Sequence, residues 1–301
     1  MQLTKLIFIT ITSLCYILLE PKVYGQNKIK ILDFQTNVPI PYASVFNKKK
    51  QFGFYVNEYG ELLVPNQISA NDTLIVSSVG YETQRIIAGE FKSEIYLKSK
   101  THILNEVKIT PRGGEISLGS KKESTHFVVS INKPTLRNEI ALLIKNDHRY
   151  RGKIMSISFY FSPQGKPKTP FKIRLYSIEE DFPKEDLLRK DLVALGNNKG
   201  GWTEIDLKGH NIRVDENGIF VSMESLYGLK KSSFYTVKNM STGRTETNYG
   251  QSLGLTDEFE TAIAYQRQFN GNWTSYNAKF PSHLSKATFY PMMKIKIKLD
   301  E

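Results

Sequence analysis

The chain has 301 residues, 40% of them hydrophobic and 12% aromatic, which is enough apolar material to bury the cores of two domains. Its net charge of +11 favours anionic partners, but the basic residues are scattered along the chain, so we predict no nucleic-acid-binding surface. The single cysteine, Cys15, excludes a disulfide framework.

Residues 1–25 are typical of an export signal. Lys5 precedes an apolar run over residues 6–19, and the small residues Val23 and Gly25 stand at the third and first positions before a cleavage point. The run is shorter than the roughly 20 apolar residues of a membrane helix. We therefore expect an exported chain, in the periplasm or at the outer membrane or cell surface, with no transmembrane segment after processing.

Seven short runs with alternating apolar residues come next, and each is bounded by Pro, Gly, Asn or Asp. This pattern is typical of the strands of a small β-sandwich. The runs cover residues 29–34, 43–47, 52–56, 61–64, 73–79, 83–88 and 94–97. Pro39 and Pro41 favour an edge position for the segment around them, because proline cannot donate a ladder hydrogen bond.

This stretch resembles the carboxypeptidase regulatory-like domain. The resemblance rests on Asp33, the PIPYASV run at 39–45, the NEYG turn at 57–60, the SSVGYE run at 77–82 and the IYL run at 95–97. It implies a seven-stranded sandwich of the transthyretin or immunoglobulin-like kind over residues 26–110, and an accessory module without peptidase activity.

Residues 104–110, with the sequence LNEVKIT, resemble the segment that follows this module in TonB-dependent outer-membrane receptors. Only about 190 residues remain after it, too few for the plug and the large barrel of such a receptor.

Residues 111–123 are polar and rich in glycine, which predicts a linker. Gly114 and Gly119 have the spacing of a phosphate-binding loop. Ser120 and Lys121 stand in the wrong order for that motif, however, and no strand-to-helix pattern surrounds them. We therefore predict no nucleotide site.

Residues 124–301 return to a strand pattern, which predicts a second, larger sandwich of jelly-roll-like architecture and an all-β chain. The predicted strands cover residues 127–131, 140–145, 153–161, 171–176, 187–193, 202–207, 218–225, 235–238, 260–269 and 287–299. Residues 136–144 would also suit a short helix. Parts of this region look like the C-terminal region of other exported proteins that carry the same module.

Motifs for catalysis and for metal binding are missing from the sequence. The five histidines lie far apart without zinc-ligand spacing, no Gly-x-Ser-x-Gly elbow occurs, and the carboxylates of residues 179–186 flank Pro183 in a loop-like segment. We predict no cofactor, no metal and no catalytic residue. A Ser/His/Asp triad assembled from distant residues stays open, and the chain would then be an unrecognised hydrolase.

The aromatic residues are the best candidates for ligand contact. Trp202 starts a strand with alternating neighbours, which favours core packing. Trp273 follows an Asn-Gly-Asn turn at 270–272, lies near Tyr276, and comes after a polar loop predicted at 241–250. Exposed rings on sandwich loops stack on sugars or hold peptides. Trp273 and Tyr276 are therefore the predicted ligand-binding residues, with core packing as the competing interpretation.

Two functions follow from these observations. The first is a non-catalytic exported module that binds a glycan, a peptide or another envelope protein through the second sandwich. The alternative is an accessory component of a TonB-dependent outer-membrane uptake system, docking through the module at residues 26–110.

Overall fold

The computed structural model describes residues 28–100, 113–131, 138–238, 243–269, 271–282 and 285–300, and they form an all-β protein with two sandwiches. The predicted export signal and residues 104–110 lie outside this described part. Within it, the helical content is three single-turn 3-10 helices, at Ala88–Glu90, Lys208–His210 and Lys231–Ser233. None of the helices in the described residues has the length and hydrophobicity needed to cross a membrane.

The N-terminal domain contains seven strands, and one lies in each of the seven predicted runs. They are β1 Lys28–Asp33, β2 Ser44–Asn47, β3 Phe52–Tyr55, β4 Glu61–Leu63, β5 Thr73–Ser77, β6 Gln84–Ile87 and β7 Glu94–Leu97. A three-stranded sheet of order β4-β1-β7 packs on a four-stranded sheet of order β3-β2-β5-β6. Ile29, Ile31, Val45, Leu74 and Val76 fill the core between them, as the alternation predicts.

The C-terminal domain contains seventeen described strands. The first nine are β8 Glu115–Gly119, β9 Val128–Ile131, β10 Glu139–Lys145, β11 Gly152–Ser162, β12 Phe171–Glu179, β13 Phe182–Asp186, β14 Leu192–Ala194, β15 Gly201–Asp206 and β16 Arg213–Val214. The other eight are β17 Gly218–Ser225, β18 Phe234–Lys238, β19 Thr245–Thr256, β20 Ala264–Arg267, β21 Thr274–Ser275, β22 Ala278–Lys279, β23 Thr288–Pro291 and β24 Met293–Leu299.

These strands form two large sheets. The seven-stranded sheet has the order β13-β12-β17-β10-β20-β21, with β14 paired to β12. The ten-stranded sheet has the order β22-β23-β19-β11-β24-β8, with β15 and β16 paired to β11 and β9 and β18 paired to β19. The core lies between the sheets, where Leu142, Ile173 and Val221 of one meet Phe159 and Ile295 of the other.

The structure corrects two predicted irregular segments. Residues 241–250 were predicted as a polar loop, but Thr245 begins β19, the longest strand, which pairs with β11 in the ten-stranded sheet. Thr245 and Thr247 at its start are exposed, but polar side chains further along are buried and paired, as Ser252 with Ser130 and Gln251 with the Thr169 carbonyl. The predicted linker at 111–123 contains β8, which pairs with β24 and so belongs to the C-terminal domain.

Other strand predictions differ in their limits. Only the last two residues of the strand predicted at 187–193 lie in a strand, β14, and the one predicted at 260–269 shortens to Ala264–Arg267. The segment predicted as loop-like at 179–186 contains β13 instead. The strand predicted at 287–299 is interrupted between Pro291 and Met293. The segment for which a helix was the alternative, at 136–144, is strand β10 in its described part.

Candidate functional site

The outer face of the seven-stranded sheet carries four charged side chains in one row. The alternation along each strand turns them away from the sandwich core. Strand register then aligns Lys172 of β12 with Glu224 of β17, Glu224 with Glu139 of β10, and Glu139 with Arg267 of β20. We call these four residues the charged row. All are buried or nearly so, so their charges must be paired within the protein.

Glu224 is paired on both sides. Arg174 Nε donates to Glu224 Oε2 at 2.8 Å, and the hydroxyl of Tyr55, from the N-terminal domain, donates to Glu224 Oε1 at 2.7 Å. Burial alone would raise the pKa of the Glu224 carboxyl, but the charges of Arg174 and Lys172 and the Tyr55 hydrogen bond lower it to about 2. Glu224 is therefore a buried carboxylate that stays ionised at neutral pH.

Glu139 forms the second charged pair. Arg267 Nε donates to Glu139 Oε2 at 2.6 Å, and the Tyr176 hydroxyl donates to Glu139 Oε1 at 2.7 Å. Burial, together with the charge of Glu139, raises the pKa of Tyr176 well above its ordinary value. Tyr176 therefore stays protonated and acts as a hydrogen-bond donor rather than as a base.

The N-terminal domain covers one end of this face. The Phe269 ring stacks against Phe46 at 5.4 Å between centroids and lies 5.5 Å from Tyr55. Ser78 Oγ donates to Asp191 Oδ2 at 2.7 Å, and Asp191 also pairs with Lys172 at 2.9 Å. The domains thus share a buried interface that combines stacked rings with ion pairs.

A cleft of about 460 Å³ remains open at the edge of this interface. The N-terminal domain contributes Ser78, Tyr81 and Thr83, among others, and the C-terminal domain contributes Arg174 and Asp186. We call it the interdomain cleft. Burial raises the pKa of Asp186, although the neighbouring Arg174 lowers it in part.

Aromatic side chains occupy the other end of the outer face. Trp273 lies edge-on to Tyr176 at 5.6 Å between centroids and stacks on the Arg267 guanidinium at 4.2 Å. Phe182 stacks on Tyr265 at 4.7 Å, and its side chain is 49% exposed. We call Tyr176, Phe182, Tyr265 and Trp273 the aromatic surface. Phe182 begins the edge strand β13 and the half-buried Trp273 directly precedes β21, and both rings are partly open to solvent.

The two predicted ligand-binding residues are not in the same environment. Trp273 lies on the aromatic surface, whereas Tyr276 is 5% exposed and packs within the core between the two large sheets. Trp273 directly precedes strand β21 and Tyr276 directly follows it, so the alternation of the chain turns the two rings to opposite faces. Tyr276 is therefore a core residue and offers no ring face to a ligand.

Trp202 differs from its predicted core position. It lies on the outer face of the ten-stranded sheet, edge-on to Tyr160 at 5.7 Å, with Lys294 Nζ 3.9 Å above its ring. Trp202 pairs with Tyr160 across β15 and β11, and the neighbouring pair of Thr203 and Phe159 turns toward the core. The predicted alternation along this strand is correct, but Trp202 belongs to its outward-facing positions and not to its core-facing positions.

Sequence reasoning missed the charged row. The outward positions of β12 were visible in its alternation, since Lys172 and Arg174 fall between Phe171, Ile173 and Leu175. Outward charges usually face solvent, however, and no local signal indicates that another domain covers them. The described residues contain no group of three or more His, Cys, Asp or Glu side chains placed to hold a metal ion.

Comparison with protein families matches residues 30–109 to the CarboxypepD_reg-like domain. The N-terminal sandwich is therefore a carboxypeptidase regulatory-like domain, which confirms the resemblance seen in the sequence. A comparison with curated proteins found no match.

Two solved structures resemble the chain. One is the clostridial cysteine protease Cwp84 after propeptide cleavage, at 11% identity and a TM-score of 0.39, over 82% of this chain and 54% of that one. The other holds the cysteine protease and lectin-like domains of Cwp84, a surface layer associated protein of Clostridium difficile, at 10% identity and a TM-score of 0.34, over 82% and 48%. The chain spans about half the length of these structures, and a similarity this low carries no functional argument.

Proposed function

We propose that this chain is a non-catalytic exported protein of the bacterial envelope, and that its C-terminal domain binds a glycan through the aromatic surface. The observation that supports the proposal is the pair of solvent-facing rings, Trp273 and Phe182, each held by stacking on a second group. A flat apolar ring with a fixed orientation loses little conformational entropy when a sugar stacks on it. The signal-like residues 1–25 support export.

Glycan-array binding by the purified chain tests this proposal, with Trp273→Ala as the informative variant. Trp202→Ala is a matched control, because Trp202 also combines an edge-on tyrosine with a cation over its ring, on the opposite sheet. We expect Trp273→Ala to remove binding and Trp202→Ala to retain it. Equal binding by the wild type and by Trp273→Ala, or binding to no glycan, would rule out the aromatic surface as the site.

A second candidate function is docking to an outer-membrane uptake receptor through the N-terminal domain. Five of the seven exposed large hydrophobic residues among the described residues lie in this domain, which supports a protein contact there. They are Phe34, Val38, Tyr59, Leu63 and Ile87. Isolated apolar side chains are common on surfaces, so this observation is weaker than the stacked rings.

Co-purification from envelope extracts distinguishes the two functions. Docking predicts that a receptor is recovered with the wild type and lost with the double variant Phe34→Ser and Tyr59→Ser, while glycan binding is unchanged. Ile87→Ser is the control from the same domain, because Ile87 lies on β6 in the other sheet. Recovery of the receptor with all variants would argue against docking through these two side chains.

A further inference from the structure

The ten-stranded sheet ends in strand β8, which has a neighbouring strand on one side alone in the described part of the chain. The Ser120 N–H donates to the Met293 carbonyl at 3.0 Å, directly across the ladder with β24. At the other end, the Leu299 N–H donates to the Gly114 carbonyl at 3.0 Å. Every second residue of an antiparallel strand bonds to its partner, so the even-numbered residues of β8 bond to β24. The backbone groups of the odd-numbered residues point away from β24, and these residues are Glu115, Ser117 and Gly119.

Three N–H and three C=O groups therefore lie along an open sheet edge. Within the described ranges, none of the six has a hydrogen-bond partner in the protein. Glu115 and Ser117 are exposed. The strand has no proline and no register shift of the kind that protects an edge, and its one charge, Glu115, stands at its first residue. The edge can therefore pair with a further strand.

A groove of about 690 Å³ lies beside this edge, between the two large sheets. Ile116 and Leu118 of β8 line it from one sheet, and Leu142 and Ile144 of β10 line it from the other. Phe259 adds an aromatic side chain. We call this space the edge groove and these five apolar residues its floor. A strand paired with β8 would turn every second side chain toward this floor.

The charged residues of the edge groove lie at its rim and have both signs. Glu258 is already paired, because it accepts from the Ser120 hydroxyl at 2.5 Å and from the Lys121 backbone N–H at 3.2 Å. The other titratable residues of the lining are exposed, namely Lys121, Lys145, Asp147, His148 and Glu260. Solvated charges of both signs favour neither an acidic nor a basic ligand. Recognition in the edge groove must therefore come from backbone and apolar contacts.

We propose that the edge groove binds an extended peptide segment of a partner protein, which pairs with β8 and places alternate apolar side chains on the floor. A peptide strand supplies N–H and C=O groups at the spacing that the open edge requires. A second copy of β8 fits less well, because five residues span about 17 Å. That contact is short for the roughly 1,200 Å² that a stable dimer buries. The edge groove shares no residue with the aromatic surface, and this function is additional to glycan binding.

Peptide selection on the whole chain tests the proposal. Random heptapeptides displayed on phage are enriched on the wild type, and the enriched sequences are synthesised for titration calorimetry. We expect apolar residues at alternate positions. N-methylation of every second amide removes the donors from one edge of a peptide strand. One of the two methylated sets should bind about tenfold or more weakly, and the other should bind like the unmodified peptide.

Three variants of the chain test the same contact from the protein side. Ser117→Pro removes one outward N–H and leaves the ladder with β24 intact, because that ladder uses the even-numbered residues. Ser117→Ala is the matched control, since it loses the same side chain and keeps the N–H. Thr261→Trp fills the edge groove from its exposed rim and leaves β8 unchanged.

We expect the enriched peptides to bind about tenfold or more weakly to Ser117→Pro and Thr261→Trp, and equally well to the wild type, Ser117→Ala and Trp273→Ala. Enrichment of no peptide would overturn the proposal, as would equal affinity of Ser117→Pro and Ser117→Ala for every peptide. A wild-type dimer in sedimentation that Ser117→Pro converts to a monomer would assign the edge to a second copy instead. Loss of array binding on Trp273→Ala reports on the aromatic surface alone, so the two proposals fail independently.

Discussion

Two tyrosine hydroxyls in this protein donate hydrogen bonds of equal length to carboxylates in opposite environments. Tyr55 donates to Glu224 at 2.7 Å in a buried site, and Tyr96 donates to Glu94 at 2.7 Å on the surface. We predict that Tyr55→Phe lowers the free energy of unfolding by about 1–3 kcal/mol, because a buried carboxylate loses a donor that water does not replace.

Urea unfolding of both variants measures this difference. Tyr96→Phe is the control, and we expect it to leave stability nearly unchanged, since water replaces the lost hydroxyl at Glu94. Equal losses in the two variants would contradict the prediction.

Glu224 also gives the protein a pH-dependent stability. Its pKa is about 2 in the folded protein, below its ordinary value of 4.5, so ionisation stabilises the fold above pH 4.5. This contribution, on the order of 3 kcal/mol, is lost as the pH falls from 4.5 through 2. The raised pKa of Asp186 acts in the opposite direction and offsets part of the loss.

Unfolding experiments at pH 6, 4 and 3 measure the effect. We predict a fall in stability over this range for the wild type, and a smaller fall for Glu224→Gln, which lacks the titrating group and is less stable at pH 6. A wild-type stability that rises toward pH 3 would contradict the assigned direction of the Glu224 pKa.

The antiparallel pairing of β10 and β17 brings the two backbones close together at one glycine. Gly218 begins β17 opposite Lys145, with φ at 119°, and a Cβ atom there would lie 2.1 Å from the Ile144 carbonyl oxygen. We predict that Gly218→Ala lowers the free energy of unfolding by about 2 kcal/mol or more, because both the φ value and the clash oppose a side chain.

Gly209→Ala provides the control for this element. Gly209 lies in the 3-10 helix Lys208–His210, and a Cβ atom there would meet no other atom within 4 Å. Thermal unfolding should therefore show a lower midpoint for Gly218→Ala and an unchanged one for Gly209→Ala. Tolerance of alanine at Gly218 would show that β10 and β17 can separate locally at little cost.

We expect the domain interface to couple the two sandwiches into one folding unit. Phe269 is 2% exposed and packs between Phe46 and Tyr55 of the other domain. We predict one calorimetric transition for the wild type. Phe269→Ala should separate it into two, with a loss of about 3–5 kcal/mol, because truncation of a buried ring leaves a cavity in the interface.

Phe182→Ala is the control, because Phe182 is a half-exposed phenylalanine stacked within a single domain. It should keep the single transition. Two transitions in the wild type would show that the domains unfold independently and that the interface contributes little.

The sequence by itself determined the all-β class and the positions of all seven strands in the N-terminal domain. Alternation and turn residues are local signals, and they are strong in strands such as β5 and β7. The same reasoning failed at β19, whose polar residues look like a loop in isolation. They are compatible with a central strand only because Ser252 and Gln251 find partners on distant segments.

Only the tertiary structure decided which outward-facing residues form a site. Alternation shows that Glu224 turns away from the sandwich core, but the side chain that covers it, Tyr55, lies 169 residues earlier in the sequence. Likewise, sequence placed Trp273 and Tyr276 together, and the fold put one ring on the surface and the other in the core. Burial of a charge and exposure of a ring depend on contacts between distant segments, which no local pattern encodes.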